Sequence, residues 1–162
     1  MYDKEEIIKF LNENKVNYNL VEHEAVYTME DIQKINIQKY GTEVKNLFLR
    51  DEKGKNHYLI VAKNDTKIDL KSLKDKIHST KLSFASEKRL DKYLKLKKGA
   101  VSPFGILNDE NSEVKVYFDE NLKNENLIGV HPNDNTASVF ISTKDMENII
   151  KKHGNSFEYI SF

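Results

Sequence analysis

V-K-N-L-F-L-R-D-E-K-G-K-N-H-Y-L-I-V-A-K, residues 44–63, decides the architecture. Two apolar-rich runs, 44–50 and 56–63, flank D-E-K-G-K at 51–55, a polar cluster holding the glycine that a short hairpin loop needs. An antiparallel hairpin is predicted. Toward the N-terminus, alternation over 16–21 predicts a further strand, and Ile7, Ile8, Phe10 and Leu11 recur at near-helical spacing within 3–14. Thr28, followed by Met29, Glu30 and Asp31, resembles a capping arrangement that opens a short helix through residue 35, ended by Gly41. Toward the C-terminus, 69–78 and 86–96 read as amphipathic helices. The second is capped by Ser86 and turns Leu90, Tyr93, Leu94 and Leu96 inward. Strands follow at 104–107, 114–118, 127–130 and 137–142, then a Thr143-capped helix and a strand at 157–160. Strands outnumber helices and several adjoin through short turns. The fold class is therefore α+β: a single domain over 1–162, with a mixed, largely antiparallel sheet and helices outside it.

A chain of 162 residues is long enough to bury about two-thirds of its unfolded surface. The absence of cysteine excludes disulfides, thiolate zinc sites and a cysteine nucleophile, and fits a reducing, cytoplasmic setting. The opening M-Y-D-K-E-E-I-I-K-F is charged from its third residue, and no run approaches a membrane span, so no membrane partner is expected. A net charge of zero argues against a general nucleic-acid coat protein. The charge is segregated, however: residues 63–98 carry twelve Lys or Arg against five Asp or Glu, a local excess of +7 that leaves −7 elsewhere. One basic face and a pair of merely solvated helices both fit that pattern.

The chain lacks G-x-x-x-x-G-K, G-x-G-x-x-G, G-x-S-x-G and H-E-x-x-H, which sets aside phosphate-loop, dinucleotide, serine-elbow and zinc-helix chemistry. His23, His57, His78, His131 and His153 show no paired spacing, so no metal or other cofactor is expected. Lys45 and Asn46 interrupt the start of an otherwise apolar strand. Either they snorkel and satisfy a neighbouring turn, or they place a cation and an amide at a pocket mouth to hold a phosphate or carbonyl oxygen. Both prolines sit in turns of small and polar residues, G-A-V-S-P-F-G at 99–105 and G-V-H-P-N-D-N-T at 129–136. Each proline holds the residue before it, Ser102 or His131, in extended geometry. Backbone N–H groups of the Gly99 loop are candidate oxyanion donors, and ordinary strand connections are the alternative for both loops. Ser102 has no base in evident sequence relation to it, which weakens it as a nucleophile.

Taken in order, V-K-N-L-F-L-R-D from Val44, Gly99-x-x-x-Pro103 and H-P-N-D-N-T-A-S from His131 resemble the YbaK and prolyl-tRNA synthetase-associated editing domains over nearly the whole chain. H-E-A-V-Y-T from His23 and F-I-S-T-K-D before the last long helix resemble the freestanding alanyl-tRNA(Pro) deacylase branch. The resemblance implies a barrel-like sheet and metal-free hydrolysis of alanyl-tRNA(Pro), with water as nucleophile and help from the ribose 2′-hydroxyl. It implies catalytic roles for Lys45, Asn46, Gly99 and His131, and substrate contacts at Thr28, Ser102, Pro103 and Asn135. Lys92, Lys95 and Lys98, on the basic segment leading into the Gly99 loop, are candidate tRNA contacts. The partners implied are tRNA(Pro) carrying a mischarged amino acid and, with it, prolyl-tRNA synthetase. Cysteinyl-tRNA(Pro) hydrolysis, as in the YbaK-like branch, and a non-catalytic tRNA- or synthetase-binding module are the competing readings. The chain departs from the family's usual pattern at Asn133-Asp134, where an aliphatic residue is common, which bears on specificity.

Overall fold

A computed structural model describes residues 1–25, 27, 28, 30 and 40–162. The helix α1, Lys4–Glu13, starts where the Asp3 carboxylate accepts from Glu6 N, and it buries Ile7 and Leu11. Strand β1, Tyr18–Glu22, follows. The helix expected over 28–35 falls mostly outside the described residues. The central hairpin is β2, Thr42–Arg50, against β3, His57–Lys63, in the register Asn46 opposite Val61. Its loop is built by Asp51, whose carboxylate accepts from the Lys55 and Asn56 backbones and the Asn56 amide, and by Gly54 at φ +68°.

Helix α2, Leu70–Lys76, is capped by Asp69, and α3, Glu87–Leu94, by Ser86; a two-residue strand β4, Ser83–Phe84, lies between them. Beyond them come β5, Val114–Asp119; β6, Ile128–Val130; β7, Ala137–Ile141; α4, Thr143–His153; and β8, Phe157–Ile160. Two expectations are corrected. Residues 104–107 are no strand: Pro103–Asn108 is a buried 3-10 helix, because the Ser102 hydroxyl accepts from Phe104 N and Pro103 occupies its first turn. The cap of α4 is Ser142, which accepts from Asp145 N, while Thr143 turns inward to donate to the Leu122 carbonyl.

The sheet runs β1-β7-β6-β2-β3-β5-β8, with β4 also on β2. Pairing is antiparallel for β1–β7, β6–β7, β2–β3 and β2–β4, and parallel for β2–β6, β3–β5 and β5–β8. The sheet is mixed as expected, but it is open rather than barrel-like, since β1 and β8 end it without meeting. One face carries the main core, including Val44 and Phe48 of β2, Leu59 and Val61 of β3, and Phe118 of β5, under α1, α3, α4 and the buried 3-10 turn. The opposite face of the β2–β3 half packs Leu47, Leu49, Tyr58 and Ile60 against Leu73 and Ile77.

The β2–β6 seam is short. It pairs Thr42 with Ile128 and Glu43 with Gly129 and then stops; β4 rejoins the same edge of β2 only at Leu49 and Arg50. Among the described strands, β2 therefore has an unpartnered edge from Val44 to Leu47, just where β6 gives way to the loop beginning at His131.

Candidate active site at the open seam of the sheet

Lys45 and Asn46 sit on that open edge. Strand alternation sends them to opposite faces: Asn46 shares the main-core face with Val44 and Phe48, and Lys45 the face of Leu47. The Lys45 ammonium donates to the Thr66 carbonyl, and the Thr66 hydroxyl donates to Asp119 Oδ2 at 3.1 Å. Asn46 Oδ1 is shielded from solvent and accepts no hydrogen bond among the described residues. Buried amide oxygens are nearly always paired, so this one keeps Asn46 a candidate site residue. The β2–β6 offset, continued two residues past the ladder, brings Lys45 level with His131.

The two proline loops meet here. Ser102 is fully buried, and its hydroxyl donates to the His131 carbonyl at 2.5 Å while capping the 3-10 turn. Its geometry is that of a tie between loops. Pro103 starts the turn beside it. Gly99 closes a turn in which Ala100 N donates to the Lys97 carbonyl at 3.0 Å, and its φ of +91° is a conformation that favours glycine. A Cβ there would stand 2.8 Å from Tyr27 Cδ1 and 3.5 Å from Asn135 Nδ2, so the Gly99 backbone faces an exposed tyrosine ring and the Asn135 amide. The backbone N–H groups of Gly99, Val101 and Ser102 donate to no group among the described residues.

His131 Nδ1 lies 2.8 Å from the Ala137 carbonyl, which can only accept. The proton is therefore on Nδ1, and Nε2 keeps its lone pair. Burial holds the His131 pKa below the usual imidazole value, so the ring stays neutral at neutral pH. His23, just past β1, has its ring centroid 6.2 Å from that of His131; its Nδ1 donates to the Glu24 carbonyl at 2.7 Å and its Nε2 is hydrogen-bonded to Ser138 Oγ at 2.9 Å. Spacing along the chain gave no hint of this histidine pair. It arises because β7 bridges β1 and β6. Thr28 is exposed next to undescribed residues.

Asn133 and Asp134 build the His131 loop itself. Asn133 adopts φ +60°, which asparagine tolerates, and its amide donates to the Tyr2 carbonyl at 2.8 Å. Asp134 Oδ1 accepts from the Thr136 backbone at 2.8 Å and hydroxyl at 2.5 Å.

The lysines divide. Lys92 and Lys95 line a cleft of about 220 Å³ that they share with Asp109, Glu110 and Glu113, so their field is partly offset. Lys98 is exposed in the turn immediately before Gly99. A groove of about 370 Å³ between α1 and α4, lined by Phe10, Val16, Leu107 and Ile149, includes none of the residues at the seam. The described residues contain no group of three or more acidic or histidine side chains placed to hold a metal ion, and no helix among them is long and apolar enough to cross a membrane.

The chain is similar to known proteins along its length. Over 157 residues the chain is 60% identical to the prolyl-tRNA editing protein ProX of Acetoanaerobium sticklandii, covering 97% of this chain and 96% of that protein. It is 28% identical over 151 residues to the prolyl-tRNA synthetase associated domain-containing protein 1 of Mus musculus, covering 91% and 89% of the two chains. Among solved structures, a candidate trans-editing enzyme for prolyl tRNA synthetase superposes with a TM-score of 0.72 at 18% identity, over 100% of this chain and 99% of that one, which supports the fold. Residues 23–149, a span that holds both histidines, the open β2 edge and both proline loops, match the aminoacyl-tRNA editing domain, and the chain belongs to that family.

Proposed function

We propose that the protein is a freestanding deacylase that removes wrongly attached alanine from tRNA(Pro), acting in the cytoplasm as one editing domain. The observation that carries this reading is the Gly99 turn, which stands at positive φ against Asn135, with backbone N–H groups beside it that donate to none of the described residues and the turn's loop tied through Ser102 to His131. Backbone donors held in this way suit a carbonyl oxygen that gains negative charge during ester hydrolysis. Water attacks the ester carbonyl carbon, the bond to the ribose oxygen breaks, and the water proton passes to that oxygen, leaving free alanine and uncharged tRNA. The neighbouring ribose 2′-hydroxyl assists the transfer, so no nucleophilic side chain or metal enters the step.

Lys45 and Asn46, at the two faces of the open edge, position the terminal adenosine and the carbonyl. His131, neutral and with Nε2 unprotonated, and Asn135 shape the amino-acid end, with Thr28, Ser102 and Pro103 around it. Such editing has a physical rationale: a synthetase pocket sized for proline cannot exclude the smaller alanine, and the missing carbons give only about 10- to 200-fold discrimination. The 60% identity to a prolyl-tRNA editing protein supports tRNA(Pro) as the carrier, and prolyl-tRNA synthetase is the natural second partner. The test is deacylation of alanyl-, cysteinyl- and prolyl-tRNA(Pro) side by side in excess EDTA. Fastest loss of alanine is expected. Preference for the cysteinyl ester supports the YbaK-like alternative, and tRNA binding without turnover supports a non-catalytic module.

A further inference from the structure

Glu43 is a shielded carboxylate with one oxygen to spare. It occupies the last paired rung of the β2–β6 seam, opposite Gly129, and alternation turns it to the same face as Lys45. Its Oε2 accepts from Asn64 Nδ2 at 3.0 Å; its Oε1 is hidden from solvent and accepts from nothing among the described residues. Lys45 does not neutralise it, since that ammonium is on the Thr66 carbonyl, and Glu43 is in no ion pair among the described residues. Burial accordingly pushes its carboxyl pKa above the usual value.

Aromatic rings stand on the neighbouring strands. Gly129 pairs with Phe140 of β7, and a Cβ on Gly129 would stand 2.7 Å from Phe140 Cε1, so the Phe140 ring covers the bare backbone opposite Glu43. The Tyr40 ring follows, its centroid 5.7 Å from that of Phe140.

A buried carboxylate oxygen lacking a donor is the chemistry that receives a small alkylammonium ion. We infer that Glu43 is a specificity residue that binds the α-ammonium group of the esterified amino acid through Oε1. The inference rests on the deacylase reading above and deepens it. Every aminoacyl ester offers that cation next to its carbonyl carbon, so fixing it orients the carbonyl for attack. Esters without an ammonium group are rejected, because they leave the buried oxygen unpaired.

The experiment compares single-turnover cleavage of alanyl-tRNA(Pro) with that of lactyl-tRNA(Pro), its near-isostere with hydroxyl in place of ammonium, by the full chain, Glu43→Gln and Glu43→Asp. Wild-type protein should prefer the alanyl ester beyond the ratio of the two spontaneous rates. Glu43→Gln should slow alanyl cleavage by about tenfold or more, the loss of one charge-assisted hydrogen bond, and leave lactyl cleavage within about twofold. Glu43→Asp should recover part of the preference. The ratio is taken within each variant, so a loss of folded protein cancels. An unchanged ratio in Glu43→Gln, with wild-type cleavage intact, overturns the Glu43 assignment alone; wild-type protein that cleaves neither ester overturns the deacylase reading as well.

Discussion

Replacing His57 by glutamine removes one titrating group and keeps a hydrogen-bond acceptor for the arginine beside it. His57 is 2% exposed, lies between the rings of Phe48 at 5.6 Å and Tyr93 at 4.0 Å, and receives Arg89 Nη1 at 3.1 Å on Nε2. Burial, and after it the positive charge of Arg89, lower its pKa to about 4. The unfolded chain, with an ordinary imidazole near 6.5, binds the proton first as pH falls. Stability is therefore fully present above pH 6.5 and is lost as pH drops toward 4. Between pH 7.5 and 5 that difference amounts to at most about 2 kcal/mol. Urea unfolding of wild type and His57→Gln across this range measures it: wild-type stability should fall more steeply, by up to that amount, with every other titrating group common to both chains. Parallel pH profiles, or an NMR titration of His57 with a midpoint near 6.5, would refute the reasoning.

Gly99→Ala should cut deacylation by about tenfold or more while lowering stability by about 1–2 kcal/mol, because the left-handed backbone must shift and Tyr27 must give way; single-turnover rates and thermal melts check both. Lys45→Ala should remove most activity with a melting temperature within a few degrees of wild type, since the lysine's partner is a loop carbonyl rather than the core. Lys98→Glu should weaken tRNA binding and flatten its salt dependence more than Lys92→Glu or Lys95→Glu, whose side chains already share a cleft with Glu110 and Glu113; filter binding across a salt series reads the order.

The hairpin was legible because alternation and turn chemistry act over neighbours: Asp51 and Gly54 make the loop that their residue types predict. Residues 104–107 misled because an apolar run buried on every side has no period to read, and the deciding feature was a serine cap two residues upstream. At the site, Lys45 and Asn46 stood out as polar residues in an apolar strand, and the paired glycine and proline loops stood out by composition. Three things depended on long-range pairing and were invisible: the meeting of His23 with His131, the acidic neighbours of Lys92 and Lys95, and the isolation of Glu43, which in sequence reads as an ordinary strand-edge carboxylate.

The strand order also sets a timetable for folding. The β2–β3 hairpin closes over a six-residue loop soon after it is synthesised, whereas β1, near the N-terminus, finds its strand partner, among the described residues, in β7, with Tyr18 opposite Ile141. Pairings so distant in sequence form slowly, because much chain entropy is lost before any contact is gained. His23 reaches Ser138 and His131 only through that last closure. A nascent chain still short of β7 would carry a formed hairpin and an unassembled site, so catalytic competence and the slowest folding step should arrive together.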